Sequence, residues 1–264
     1  MICAPRRVTK TDSFFSKVAS ADCRLLLLDY DGTLAPFHHN RYRAFPYDGI
    51  VELLDVIMGL DRVRVVLVSG RRAAELPPLL GAAQVPEIWG SYGMERLLPD
   101  GTYHTQPLDD IAYEIQAQAA ALLAEEDLAE QTEIKPGVVA VHWRGLPPHR
   151  VHEVETKVRR VHSALRLPPS ALVQFDGGIE IRLSSCNKGD AVRHLLSELQ
   201  TSAAIAYLGD DVSDEDAFRA LKGRAMRVLV RPQYRPTAAD LWLRPPEEVV
   251  GFLRMWMTAC GGMA

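Results

Sequence analysis

Short, predominantly apolar runs separated by segments of helical period recur along this 264-residue chain. Leu25 to Leu28 is the first, and Val63 to Val68 and Ala204 to Leu208 repeat the form. Runs of this length without polar alternation read as strands buried on both faces, the pattern of a parallel sheet with helices on either side. Strand, helix and strand alternate from Arg24 to about Trp89 and resume at Lys188. They continue through a strand at Met226 to Val230 to a last helix at Glu247 to Met257. The fold class expected is α/β, a doubly wound parallel sheet.

Between the two halves the pattern changes. Met94 to Leu98 and Thr102 to His104 flank Pro99-Asp100-Gly101, a hairpin signal. Beyond it come a helix from about Leu108 to Ala129, a strand at Val138 to Trp143 and a helix around Arg150 to Leu165, then strands at Ala171 to Phe175 and Gly178 to Leu183. This predicts a smaller α/β domain over residues 105–183, inserted into a core built from residues 1–104 and 184–264. Strand alternation puts Val139, Val141 and Trp143 on one face with His142 and Arg144 on the other. It likewise separates Glu180 and Arg182 from Ile179, Ile181 and Leu183. A solvated sheet face and a ligand-reading face both fit that arithmetic.

Chemistry gathers at the ends of the buried runs. The leucines deliver Asp29 and Asp31 into a turn at Gly32-Thr33. Two carboxylates this close repel each other unless a cation neutralises them or one keeps a proton. A hard cation such as Mg²⁺ suits one or two carboxylates with a phosphate oxygen, and an aspartate can accept a phosphoryl group covalently. An Asp-rich turn is the plainer reading of this segment alone. Val63 to Val68 runs into Ser69, with Gly70 and Arg71 beside it, where a hydroxyl and free N–H groups would cradle a phosphate. Lys188 opens a later helix and could hold a phosphoryl group. Ala204 to Leu208 ends in Gly209-Asp210-Asp211-Val212-Ser213-Asp214-Glu215-Asp216. Helix capping suits Ser213, Asp214 and Glu215. It does not account for Asp210 and Asp211 at the strand tip, where a metal would.

These four segments, in this order, resemble the haloacid dehalogenase superfamily of phosphatases. The resemblance implies that Asp29 is the nucleophile, Asp31 the general acid and base, and Ser69 and Lys188 the phosphate holders. Asp29, Asp31 and Asp210 would be the metal carboxylates, supported by Asp211 and Asp214, with Mg²⁺ as cofactor. It also implies that the inserted domain is a cap over the mouth of the core. Gly90-Ser91-Tyr92-Gly93-Met94-Glu95, the His142-Trp143-Arg144 strand, the Glu180-x-Arg182 strand and Gly209-Asp210-Asp211 through Glu215 are similar to the trehalose-6-phosphate phosphatases. That family usually has histidine where this chain has Tyr92. By this likeness His142, Arg144, Glu180 and Arg182 would bind the sugar or the phosphate, with Gly70 and Arg71 on the phosphate side. The implied reaction is hydrolysis of trehalose 6-phosphate. A phosphatase for sucrose phosphate or a glycosyl phosphoglycerate, or a catalytically silent sugar-phosphate sensor, are the alternatives.

A net charge of −4 without a basic block gives no sign of a nucleic-acid or anionic-membrane partner. Cys3, Cys23, Cys186 and Cys260 are scattered without CxxC pairing, which suits a reducing cytosol, and neither a secretory h-region nor a membrane span is expected. A cytoplasmic monomer or weak dimer acting on a small sugar phosphate follows, with a trehalose-6-phosphate synthase as candidate protein partner. His149, His152 and His162 are expected off the apolar stripe of their helix, in solvent. Trp242 and Trp256 read as packing residues.

Overall fold

The computed structural model describes residues 7–199 and 202–262, so Cys3 lies outside the described residues. Along the chain, α1 (Arg7–Ser20), β1 (Cys23–Leu28), α2 (Ile50–Met58), β2 (Val63–Val68), α3 (Leu76–Leu80), β3 (Glu87–Gly90), β4 (Glu95–Leu97) and β5 (Tyr103–Thr105) come first. Next are α4 (Asp110–Glu125), β6 (Thr132–Lys135), β7 (Val138–His142), α5 (Pro148–Ala164), β8 (Leu172–Phe175) and β9 (Gly178–Arg182). The series ends with α6 (Lys188–Glu198), β10 (Ala203–Gly209), α7 (Asp214–Ala220), β11 (Met226–Val230), β12 (Leu241–Leu243) and α8 (Glu247–Ala259). The chain divides into two compact units, one from Met1–Tyr103 with Asn187–Ala264 and the other His104–Cys186.

In the larger unit one sheet runs in the order β12-β11-β10-β1-β2-β3-β4-β5. It is parallel from β12 to β3 and turns antiparallel at β4. The four leucines of β1 are fully buried because both faces are covered. Leu26 and Leu28 pack in a core with residues of α2 and α8, including Ile50, Leu54, Phe252 and Trp256. Leu25 and Leu27 pack in the opposite core with Ala191 and Leu195 of α6 and Phe218 of α7. Strand order runs outward from β1 through β2 and β3 on one side and from β10 through β11 and β12 on the other. Ligands of open α/β sheets bind beyond the carboxyl ends of the strands at such a switch point.

In the smaller unit an antiparallel sheet has the order β6-β7-β9-β8. Val139, Val141, Trp143, Ile179 and Ile181 form its core with Ala119 and Leu123 of α4 and Val154, Val158 and Val161 of α5. Three elements differ from expectation. β6 carries Thr132-Glu133-Ile134-Lys135, too polar to signal a strand. The three-residue β12 is too short for a periodicity. α1 is held by aromatic packing, Phe14 against Trp256 and Phe15 against Phe252. His162 is also buried rather than solvated, since it lies four residues after Val158 on the same stripe, and its Nε2 lies 3.1 Å from the Pro168 carbonyl. Among the described residues no helix is long and apolar enough to cross a membrane.

Candidate active site

The carboxyl ends of β1, β2 and β10 meet by register. Leu28 pairs with Leu208 on one side and Leu67 on the other, so the next residues out are Asp29, Gly209 and Val68. Asp29 N–H continues the ladder, donating to the Leu208 carbonyl at 2.9 Å. Burial of Asp29, Ser69, Lys188, Asp210 and Asp214 is nearly complete, each being 3% exposed or less.

Lys188 opens α6 behind an Asn187 and Asp190 capping box. That cap points its side chain inward, where Nζ donates to Asp29 Oδ1 at 2.6 Å and to Asp214 Oδ1 at 2.8 Å. Asp29 Oδ2 accepts from Thr33 Oγ1 at 3.2 Å. Asp214 also accepts from the Tyr207 hydroxyl at 2.6 Å and from the N–H groups of Asp210 and Asp211 at 3.1 and 2.9 Å. It thus organises the acidic loop rather than capping α7. The Asp210 carboxylate has no hydrogen-bond donor among the described residues.

Asp29, Asp210 and Asp214 can each offer an oxygen such that all three lie within 4.8 Å of one another. Three carboxylates against the single ammonium of Lys188 leave two negative charges uncompensated when all are ionised. Burial, with the charges of Asp214 and Asp31 beside it, raises Asp29 to about 7 against the opposing pull of Lys188. Burial and the charges of Asp29, Asp214 and Asp211 push Asp210 well above the usual carboxylate range. A buried carboxylate without a donor beside an all-oxygen, net-negative donor set fits a hard divalent cation. Gly32 leaves it room. With φ +80°, it lies so close to Asp210 that a Cβ would come within 2.3 Å of Oδ2.

Two carboxylates named as metal ligands lie outside this cluster. Asp31 is held by Arg71, whose Nε donates to Oδ2 at 2.6 Å and Nη2 to Oδ1 at 2.7 Å. The side chain of Asp211, beyond the strand tip, is not among the clustered groups. Ser69 Oγ accepts from Arg71 N–H at 3.1 Å, and its own hydrogen meets no acceptor among the described residues.

The trehalose-phosphatase family profile matches residues 27–243. The chain belongs to the trehalose-phosphatase family. The trehalose-phosphate phosphatase of Mycobacterium avium (strain 104) is 34% identical over 250 residues, covering 86% of this chain and 60% of that protein. The chain therefore spans about 60% of the length of such curated relatives. Among solved structures, the C-terminal domain of the C. albicans trehalose-6-phosphate phosphatase superposes with a TM-score of 0.73 at 21% identity, covering 96% of this chain and 97% of that one. A haloacid dehalogenase-like hydrolase from B. subtilis superposes with a TM-score of 0.59 at 14% identity, covering 88% and 99%. The fold is that of the haloacid dehalogenase-like hydrolases.

In this chain the segment from Gly90 to Glu95 supports the β2 turn. Glu95 Oε2 accepts from the Ser91 hydroxyl at 2.7 Å and Ala73 N–H at 3.0 Å, while Ser91 N–H donates to the Arg71 carbonyl at 2.6 Å. The Tyr92 ring lies over Gly70, where a Cβ would meet it at 2.7 Å. In the smaller unit Glu180, 1% exposed, accepts from Lys135 Nζ at 2.8 Å and from Arg182 Nε at 3.0 Å. His142 Nε2 lies 2.8 Å from Glu133 Oε2, and Arg144 folds onto the β8–β9 turn against the Asp176 carbonyl.

Sequence reasoning did not single out Thr33, Glu133, Lys135 or Tyr207 as site residues, nor assign Glu95 a role. Two left a signal, Tyr207 as the lone hydroxyl in an otherwise apolar run and Thr33 as a hydroxyl four residues after Asp29. Glu133 and Lys135 left none, because their strand itself was not recognisable.

Proposed function

We propose that this chain is a Mg²⁺-dependent phosphomonoesterase that hydrolyses trehalose 6-phosphate to trehalose and phosphate through an aspartyl-phosphate at Asp29. The observation that carries the reading is the buried Asp29–Lys188 pair beside the donor-free Asp210 carboxylate at the strand switch point. Asp29 and Asp210 would hold the cation, with Asp214 adjoining. When bound, it supplies positive charge that favours ionised Asp29 and offsets charge on the transferring phosphoryl oxygens.

Asp29 attacks phosphorus in line, forming the new P–O bond as the bond to the sugar oxygen breaks. Lys188 and the free Ser69 hydroxyl hydrogen stabilise the phosphoryl oxygens. Asp31 gives its proton to the departing sugar oxygen. It then takes one from the water that attacks the aspartyl-phosphate, which releases phosphate and regenerates Asp29. The ion-paired polar side chains of the smaller unit, Glu133, Lys135, His142, Glu180 and Arg182, are suited to sugar hydroxyls, and sugar recognition is assigned to them.

Phosphate release should be measured with Mg²⁺ and with EDTA across trehalose 6-phosphate, sucrose 6-phosphate, glucosyl phosphoglycerate, glucose 6-phosphate and an aryl phosphate. A Mg²⁺-dependent preference for trehalose 6-phosphate is expected. Preference for another ester would overturn the sugar assignment, and no hydrolysis of any would overturn the enzyme reading.

A further inference from the structure

Arg71 stands 40 positions from Asp31 in the chain and yet holds both of its carboxylate oxygens, through Nε and Nη2 at 2.6 and 2.7 Å. The rest of its side chain is also engaged. Nη1 donates to the Arg41 carbonyl at 2.8 Å, and the guanidinium carbon lies 5.8 Å from the Tyr30 ring centroid. Its backbone is pinned at both ends, the N–H on Ser69 Oγ and the carbonyl on Ser91 N–H. The residue is only 8% exposed.

We infer that Arg71 is the positioning residue of the acid and base Asp31, rather than a ligand of the substrate phosphate. The inference rests on the phosphatase reading above. A two-point fork fixes the plane of a carboxylate as well as its distance, which a single ammonium does not. An ionised carboxylate has about four acceptor sites on its two oxygens, and the fork occupies one on each. The remaining site on either oxygen can carry the transferred proton while the side chain stays in place. The fork also keeps Asp31 apart from the Asp29, Asp210 and Asp214 cluster, so the acid does not fall among the metal carboxylates.

An alkyl phosphate expels an alkoxide and needs the acid, whereas 2,4-dinitrophenyl phosphate expels a stable phenolate and does not. General acid catalysis is worth roughly 10²- to 10⁴-fold. Because kcat/KM reports the chemistry only through departure of the alcohol or phenolate, before the second step in which Asp31 acts as base on either ester, Arg71→Ala should lose about 100-fold or more in kcat/KM on the best alkyl ester of the panel and less than about fivefold on the dinitrophenyl ester. Asp31→Asn should show the same split, and the double variant should lose no more than Asp31→Asn alone. Arg71→Lys, which keeps the charge without the fork, should behave like Arg71→Ala and guards against a folding defect in the smaller residue. Equal losses in kcat/KM on both esters would make Arg71 a phosphate ligand and overturn the inference, as would full activity of both variants on the alkyl ester. A wild-type chain that hydrolyses the dinitrophenyl ester but none of the alkyl esters removes the acid step and the inference with it, while the core chemistry stands. Hydrolysis of neither sinks the phosphatase reading itself.

Discussion

Asp29 and Asp214 share Lys188 but have different roles, and substitution should separate them. Asp29 carries few protein bonds, to Lys188 and Thr33, so Asp29→Asn keeps volume and shape and should fold normally. Its turnover should fall to background in a phosphate-release assay, since an amide is no nucleophile for phosphorus; substantial remaining activity would rule out the covalent scheme. Asp214 commits its lone pairs to Lys188, Tyr207 and two backbone N–H groups while fully buried. Its removal leaves the buried Tyr207 hydroxyl and the Asp210 and Asp211 N–H groups without an acceptor, so Asp214→Ala should cost about 3 kcal/mol in urea unfolding. The positions of Asp29, Ser69, Lys188 and Asp210 are legible in sequence, because each directly ends an apolar run or opens the helix after one. The task of Asp214 is not, because an acid in the first turn of a helix looks like a cap until its side chain is seen turned back on the strand tip. The Asp31–Arg71 fork is illegible for a related reason: it joins two loops, and no periodicity records which way a loop side chain points.

At the scale of elements, β1, β2 and β10 are legible because burial on both faces demands unbroken apolar runs. The antiparallel strands of the smaller unit are legible only where one face is apolar. Alternation separates Ile179 and Ile181 from Glu180 and Arg182, but it does not supply the Lys135 that pairs with Glu180, since β6 leaves almost no apolar trace. That pair has a consequence for acid stability. Burial alone would raise the Glu180 carboxyl, but Lys135 and Arg182 outweigh it and hold it below its usual 4.5. A carboxyl lowered on folding contributes stability above its unfolded pKa and loses it as pH falls through the folded one. Thermal unfolding between pH 5 and pH 3 should therefore lose part of its acid sensitivity in Glu180→Gln, and that variant should be less stable than the parent at pH 7. An unchanged acid limb would mean that the Lys135–Glu180–Arg182 cluster is neutral toward folding.

For the whole molecule, the site without a cation is a source of instability, one that the proposed cation would relieve, and the sign of its pH dependence follows. Burial and neighbouring carboxylates raise Asp29 from 3.8 to about 7, so the folded chain without metal binds this proton more tightly than the unfolded chain does. Stability from that proton is fully present below the unfolded pKa, near 3.8, and is lost as pH rises through about 7. The raised pKa of Asp210 acts in the same direction. A divalent ion displaces these protons, so its binding strengthens as pH rises over the interval in which the ion-free protein weakens. In EDTA the melting temperature should fall between pH 6 and pH 8. Millimolar Mg²⁺ should raise it by more at pH 8 than at pH 6, and Asp210→Asn, which removes a charge from the cluster, should raise the ion-free melting temperature while reducing the Mg²⁺ response. A Mg²⁺ response of equal size at both pH values would show that ion binding is not linked to the protons on the buried carboxylates, and the cation would then have to bind elsewhere on the chain.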